Sequence, residues 1–239
     1  MDYKKVSRYV VLGILFFLPV IFLLMLYPAT HNYEPLDIVA ESVSDIELFE
    51  SSSDESVLLK DHITVLGFLG NDPNKNSTVA LNLKELVYDK FKGFKKFQIV
   101  ILLPKGTEEA SEKLKTEISS YEDLRFWHFV FAEPSAVKRM YYSLKSSTNL
   151  NEDLSSYQIF VVDKDLNQRG RLDDRTDSAL EKDNPIYGLY SYNCVEVAEI
   201  KNKMSDDLRI LFTEYRQKRK GEFNSDTRRA DDLKAENNE

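Results

Sequence analysis

Asp72-Pro73-Asn74-Lys75-Asn76 sets a carboxylate and a carboxamide four residues apart in a loop dense with turn formers. Oxygen donors at that spacing suit a hard cation; more simply, they shape a polar turn and cap the helix that follows. Thiol chemistry has little to work with. Cys194 is the single cysteine, so neither an internal disulfide nor a dithiol cycle can form. Such a cysteine reads as a small buried hydrophobe, with contact to a partner thiol or a metal as the alternative. His31, His62 and His128 are too scattered for any metal-ligand spacing, and the last two flank or lie within strand-like segments. Asp163, Asp165 and Asn167 alternate as some calcium loops do, but the glycine and bidentate glutamate of those loops are missing downstream. A hairpin turn is the better reading. Tyr141-Tyr142 and the trio Tyr187, Tyr190 and Tyr192 are large amphipathic side chains. The trio reads either as a contact for a protein partner or as cover for a sheet edge. No catalytic constellation emerges, and neither an enzyme activity nor a cofactor is expected.

Composition narrows the partners. The chain has 239 residues and a formal net charge of -8, which argues against nucleic acid or acidic lipid headgroups. Arg216 to Lys220 is a basic tract, read as the solvated end of a helix with its cations well placed for the dipole.

Location is written at the start of the chain. Tyr9 to Tyr27 holds no charged residue and is about the length that crosses ~30 Å of hydrocarbon as a helix. Lys4, Lys5 and Arg8 precede it, and no Lys or Arg follows until Lys60. That bias predicts a cytoplasmic N-terminus at 1–8, a single-pass helix in the lipid bilayer at 9–28, and everything later outside. A cleaved signal would have a shorter apolar run and a small-x-small site, whereas this run ends in Tyr27-Pro28-Ala29-Thr30. The expected home is the inner cell membrane with a periplasmic, extracytoplasmic domain. Residues 29–44, with Pro35 and little periodicity, read as a tether; 45–218 form the domain, and 219–239 a disordered charged tail.

Within the domain, Asp45 to Glu50 alternates apolar with acidic, as a half-buried strand does. Ile63 to Leu69 and Phe97 to Leu103 are nearly continuous apolar runs of central-strand type, broken only by Thr64 and Gln98. Between them, Val79, Leu83, Leu86, Val87 and Phe91 recur at helical spacing, and Ser77 or Thr78 can cap that helix. A helix opened by Thr107, a strand from Leu124 to Phe131 and a short helix from Pro134 follow. Tyr157 to Val162 then turns through Asp163 to Asn167 into Gln168 to Asp173 as a hairpin. Residues 173 to 193 read as an irregular surface excursion, and a long amphipathic helix begins near Val197. Central strands linked by helices, a terminal hairpin and a last helix predict a thioredoxin-like α/β fold with a mixed sheet flanked by helices.

Leu58 to Gly70 with the helix near Ser77, and Ile159 to Arg171 with its aspartate turn before Arg169-Gly170, resemble the SCO/SenC type of thioredoxin-like protein. The resemblance spans roughly residues 45 to 218. It implies a membrane-anchored helper of copper-site assembly in cytochrome c oxidase. That family carries C-x-x-x-C after the first central strand. Here Pro73 is retained, while Asp72 and Asn76 stand where the thiols belong. The family's copper-binding histidine aligns with Ser155. The resemblance therefore implies a degenerate member: a non-catalytic assembly or interaction factor, holding an oxidase subunit or another assembly factor. The alternative is a copper carrier or thiol enzyme with a relocated site built from Cys194 and histidines.

Overall fold

The computed structural model describes residues 3–26, 35–47, 49–51, 56–119 and 123–221, and the chain divides into two compact units, Met1–Glu34 and Pro35–Glu239. The first unit is α1 (Tyr3–Leu26), a helix of 24 residues with Pro19 inside it. Its described side chains run from Val11 to Met25 and are all apolar or glycine. That stretch rises roughly 22 Å, short of the ~30 Å of a bilayer core. Among the described residues no helix is long and apolar enough to cross a membrane. The remaining positions of the 9–28 span, Tyr9, Val10 and 26–28, lie outside the described side chains.

The second unit is built on a mixed sheet. Its strands are β1 (Asp37–Ala40), β2 (Glu50–Ser51), β3 (Ile63–Leu69), β4 (Phe97–Pro104), β5 (Trp127–Ala132), β6 (Ser155–Val162), β7 (Gln168–Gly170) and β8 (Tyr192–Asn193). The order is β1-β7-β6-β3-β4-β5-β2, with β8 added to β6. β3, β4 and β5 run parallel, whereas β6 is antiparallel to β3 and β7 antiparallel to β6. The inner order β7-β6-β3-β4 with these directions is the thioredoxin-like arrangement, widened by β5 on one side and β1 on the other.

Parallel strands need helical crossovers. α2 (Ser77–Leu83) runs through a π-helical turn (Lys84–Tyr88) into α3 (Asp89–Phe91) and links β3 to β4; α4 (Glu108–Ser119) links β4 to β5. α5 (Pro134–Ser143) leads toward β6, and α6 (Asp177–Glu181) sits between β7 and β8. α7 (Val197–Glu199), a second π-helical turn (Ile200–Met204) and α8 (Ser205–Lys220) close the unit. β3 and β4 are buried along their whole length, which is why they read as nearly continuous apolar runs. Side chains alternate between the two faces. Val65, Ile99, Phe129 and Val161 pack with the helices that carry Leu83, Leu114 and Leu208; Leu66, Val100, Val130 and Phe160 pack with Val137 and Met140 of α5.

Four sequence expectations need correction. First, the tether drawn over 29–44 includes β1, which pairs antiparallel with β7, and Leu36 is buried. The β-branched pair Ile38-Val39 lies downstream of Pro35, so no proline blocks a short ladder, whose register shifts between Ile38 and Ala40. The folded unit starts at Pro35, and residues 29–34 lie outside the described residues. Second, among the described residues of the alternating strand expected over Asp45–Glu50 only Glu50 pairs, together with Ser51, against β5. Asp45 accepts the backbone N–H groups of Ile46 and Leu59, each at 2.7 Å, and such side-chain bonds to the backbone, near and distant, compete with a ladder. Third, the excursion over 173–193 is not wholly irregular, since it carries α6 and β8. Fourth, the last helix continues past 218 to Lys220 and stops on Gly221 in the left-handed conformation, φ 69°. The rest of the expected tail, 222–239, lies outside the described residues.

Candidate functional site

β3 ends at Leu69, and the chain must turn there without a side chain. Gly70 has φ 73°, and a Cβ at this position would lie 2.5 Å from the Asp153 carbonyl oxygen. Asn71 donates its N–H to that same carbonyl at 2.8 Å. Two further turns follow, Lys75 N–H to Asp72 O at 3.1 Å and Asn76 N–H to Pro73 O at 3.2 Å. Asn76 is buried and its Nδ2 donates to Leu69 O at 2.9 Å, tying the start of α2 back to the end of β3. It stands at the N-cap, but its side chain makes no capping bond.

Ser155 is opposite Leu69 in the β3–β6 register. Its hydroxyl donates to Asp153 Oδ1 at 2.6 Å and accepts from Asn151 Nδ2 at 3.1 Å. The loop holding Asp72, Pro73 and Asn76 and the turn holding Ser155 are therefore bonded to each other at the C-terminal tip of β3. All four expected positions lie on these two segments.

The donors there are a carboxylate, an amide and a hydroxyl. Asn76 Nδ2 and the Ser155 hydroxyl are engaged with the protein, and the Asp72 carboxylate is partly exposed, 3.6 Å from Lys75 Nζ. Cuprous copper favours soft thiolate, thioether and imidazole ligands, so this set does not fit it.

Cys194 lies closer to this tip than its sequence position suggests. It is fully buried, its thiol donating to Val79 O in the first turn of α2 at 3.4 Å. Burial pushes its pKa up to about 12, keeping sulfur protonated and unreactive. His62 and His128 line a different cleft, of about 530 Å3, with Lys96, Gln98 and Arg125. It opens beside the N-terminal ends of β3 and β4, roughly 20 Å along the strand from the tip. His31 lies outside the described residues. Among the described residues no three His, Cys, Asp or Glu side chains form a group that could hold a metal ion.

The tyrosine trio divides. Tyr187 is half-exposed, and Tyr190 is partly covered with Lys145 Nζ 4.1 Å from its ring centroid. Tyr192 is corrected: it is fully buried and donates its hydroxyl to Asp207 Oδ2 at 2.7 Å, so it touches no partner. Exposed apolar side chains accompany Tyr187 on the same excursion, namely Leu180 and Ile186, and Leu172 is exposed just before it.

Sequence reading missed a buried charge cluster beneath the hairpin. Arg169 donates from Nη1 to Asp163 Oδ2 at 2.9 Å, and from Nη2 to Glu214 Oε2 at 2.6 Å and to Leu36 O at 2.9 Å. Arg171 pairs with Asp207 and Asp174, and Lys203 with Asp174. The signal was an Arg-Gly-Arg inside a strand, with Asp207 and Glu214 seven residues apart on the apolar side of a helix.

No family model and no curated protein match this sequence. Among solved structures, the chain is similar to the soluble domain of Sco1 from Bacillus subtilis, at 14% identity over 72% of this chain and 91% of that one, TM-score 0.41. It is similar to copper-bound ScoI of Bradyrhizobium japonicum, at 12% identity over 70% of this chain and 98% of that one, TM-score 0.40. It is likewise similar to a SCO1/SenC family lipoprotein from Bacillus anthracis, at 12% identity over 73% of this chain and 96% of that one, TM-score 0.47.

Proposed function

We propose that this protein is a membrane-anchored, extracytoplasmic thioredoxin-like protein of the SCO/SenC type that works by contact rather than by catalysis. In this reading it helps assemble respiratory cytochrome c oxidase by holding an oxidase subunit or an assembly partner. One observation carries it. The tip of β3, where a thioredoxin-like protein keeps its thiols, is closed by Asp72, Pro73, Asn76 and Ser155, and the only cysteine is a buried, protonated thiol. A site with no second sulfur has no dithiol cycle to run.

The anchor and orientation rest on the charge-free run Tyr9 to Tyr27 and the basic residues before it. The contact face rests on Tyr187, Leu180 and Ile186 of the excursion and on Leu172 just before it, large side chains left in water. A relocated copper or thiol site is the weaker reading, because the buried thiol and the histidine cleft lie at opposite ends of β3.

Deleting the protein from its cell should lower cytochrome c oxidase activity, and a chain carrying Asp72→Ala and Asn76→Ala should restore it. Restoration should fail with Ile186→Asp and Tyr187→Ala together. Unchanged respiration in the deletion strain counts against the reading. About one equivalent of tightly held copper on the purified chain would favour the carrier instead.

A further inference from the structure

α8, the turn before β4 and the β6–β7 hairpin turn enclose a cleft of about 760 Å3. Lys95, Lys164, Arg216, Lys218 and Arg219 line it against one carboxylate, Asp165. In a chain of formal net charge -8 this is a local reversal of sign. Arg216, Lys218 and Arg219 have a local explanation, since cations near a helix C-terminus complement its carbonyls. That does not explain Lys95 or Lys164, which two other elements bring to the same place.

The acid in the cleft and the one nearby are already engaged. Asp165 accepts the Tyr215 hydroxyl at 2.7 Å, and Lys218 Nζ lies 3.1 Å from the buried Glu214 carboxylate. Among the described residues no carboxylate lies within ion-pairing distance of Lys95, Lys164, Arg216 or Arg219. Burial, followed by repulsion from Arg219 and Lys96, pushes the Lys164 ammonium's pKa down. Like charges gathered at a partly dry surface favour an anion between them. An aromatic wall completes the cleft. Lys164 and Lys218 lie 5.1 and 5.2 Å from the Tyr215 ring centroid, and Phe94 stacks on Phe212 with centroids 4.2 Å apart.

We propose that this cleft binds a phosphate-bearing ligand, its oxygens held by Lys95, Lys164, Arg216 and Arg219 beside Tyr215. Four cations from three elements outnumber the single charge of a carboxylate and suit the several anionic oxygens of a phosphate or diphosphate. The site is independent of the tip of β3 and of the assembly role above. The phosphate can come from a soluble molecule or from a lipid headgroup.

The test uses the full chain in non-ionic detergent. One arm titrates inorganic pyrophosphate; the other adds micelles containing phosphatidylglycerol, with phosphatidylcholine as the neutral comparison. Lys164→Gln with Arg219→Gln should weaken whichever probe binds by about tenfold or more, because each removes a charge-assisted bond. Lys113→Gln with Lys115→Gln removes the same charge from exposed α4 and should leave affinity within about twofold at physiological salt. Unfolding midpoints confirm that both variants fold. Pyrophosphate binding lost in the first variant assigns a soluble ligand; phosphatidylglycerol binding alone, lost in the same way, assigns a headgroup. The proposal is overturned by no binding of either probe, or by equal weakening in both variants.

Discussion

Arg169 and Glu214 form a buried ion pair, Nη2 to Oε2 at 2.6 Å, with both side chains wholly excluded from water. It joins the β6–β7 hairpin to the terminal helix, and through Leu36 O the same guanidinium also holds the start of β1. Three segments distant in sequence thus meet on one side chain.

Removing one member of a buried pair leaves its partner charged and undersolvated, which costs roughly 3–5 kcal/mol. Arg169→Met strands two carboxylates, Asp163 and Glu214, and should be the most damaging single change in the cluster. At ~2–4 °C per kcal/mol for a domain of this size, the thermal midpoint should fall by about 10 °C. Glu214→Gln should cost less, because Arg169 keeps Asp163. Arg209→Ala, which breaks an exposed pair with Asp206, should change stability by no more than about 0.5 kcal/mol. Equal midpoints for Arg169→Met and Arg209→Ala would refute the structural role of the cluster.

Gly70 is the hinge of the β3 tip, and its constraint is steric. Gly70→Ala pushes a methyl group into the Asp153 carbonyl from a left-handed backbone, so it should destabilise by about 2 kcal/mol or more. A Cβ at Gly93 would meet nothing within 4 Å, and Gly93→Ala should be close to neutral. Urea unfolding of the two variants, compared at equal slope, separates them.

The parts of this fold legible in sequence were those whose signal is local. Ile63 to Leu69 and Phe97 to Pro104 are buried on both faces, so they stand out as apolar runs without any knowledge of their neighbours. Asp163 announced a turn, and its Oδ1 does accept the N–H groups of Asp165 and Asn167, each at 2.9 Å. What failed depended on distant partners. β1 needs β7 to exist, and Asp45 prefers the backbone of Leu59 to a ladder. Tyr192 looked like its neighbours Tyr187 and Tyr190, yet β8 and Asp207 draw it into the core. At the site, a turn-rich loop after a central strand was readable. Its fastening to Asp153 and Ser155 was not, because the long stretch of chain between them carries no mark of that contact.

Cys194 should behave as core. Burial pushes its thiol pKa up to about 12, and the sulfur is held against α2. A thiol-specific disulfide reagent at about pH 8 should label the folded chain negligibly and the urea-unfolded chain at its one cysteine. Cys194→Ser places a hydroxyl in an apolar setting and should destabilise by about 1–2 kcal/mol. Rapid labelling of the native protein would show that the thiol is open to a partner after all.

His62 makes stability depend on mild acid. Burial is the main effect and lowers its pKa from the ordinary value near 6.5; its bond with the Lys60 carbonyl opposes this, and Lys96 adds to the lowering. In the unfolded chain the imidazole takes a proton at about pH 6.5, while in the folded chain it resists until lower pH. The unfolded state therefore binds more protons in that interval, and its share of stability is fully present above about pH 6.5 and lost as pH falls through the folded value. Unfolding free energy should hold steady from about pH 8 to 7 and decline toward pH 5. His62→Gln, which cannot titrate, should flatten part of that decline, while carboxylates dominate below it. Parallel slopes for the two proteins between about pH 7 and 5 would show that His62 is as freely hydrated in the fold as in the unfolded chain.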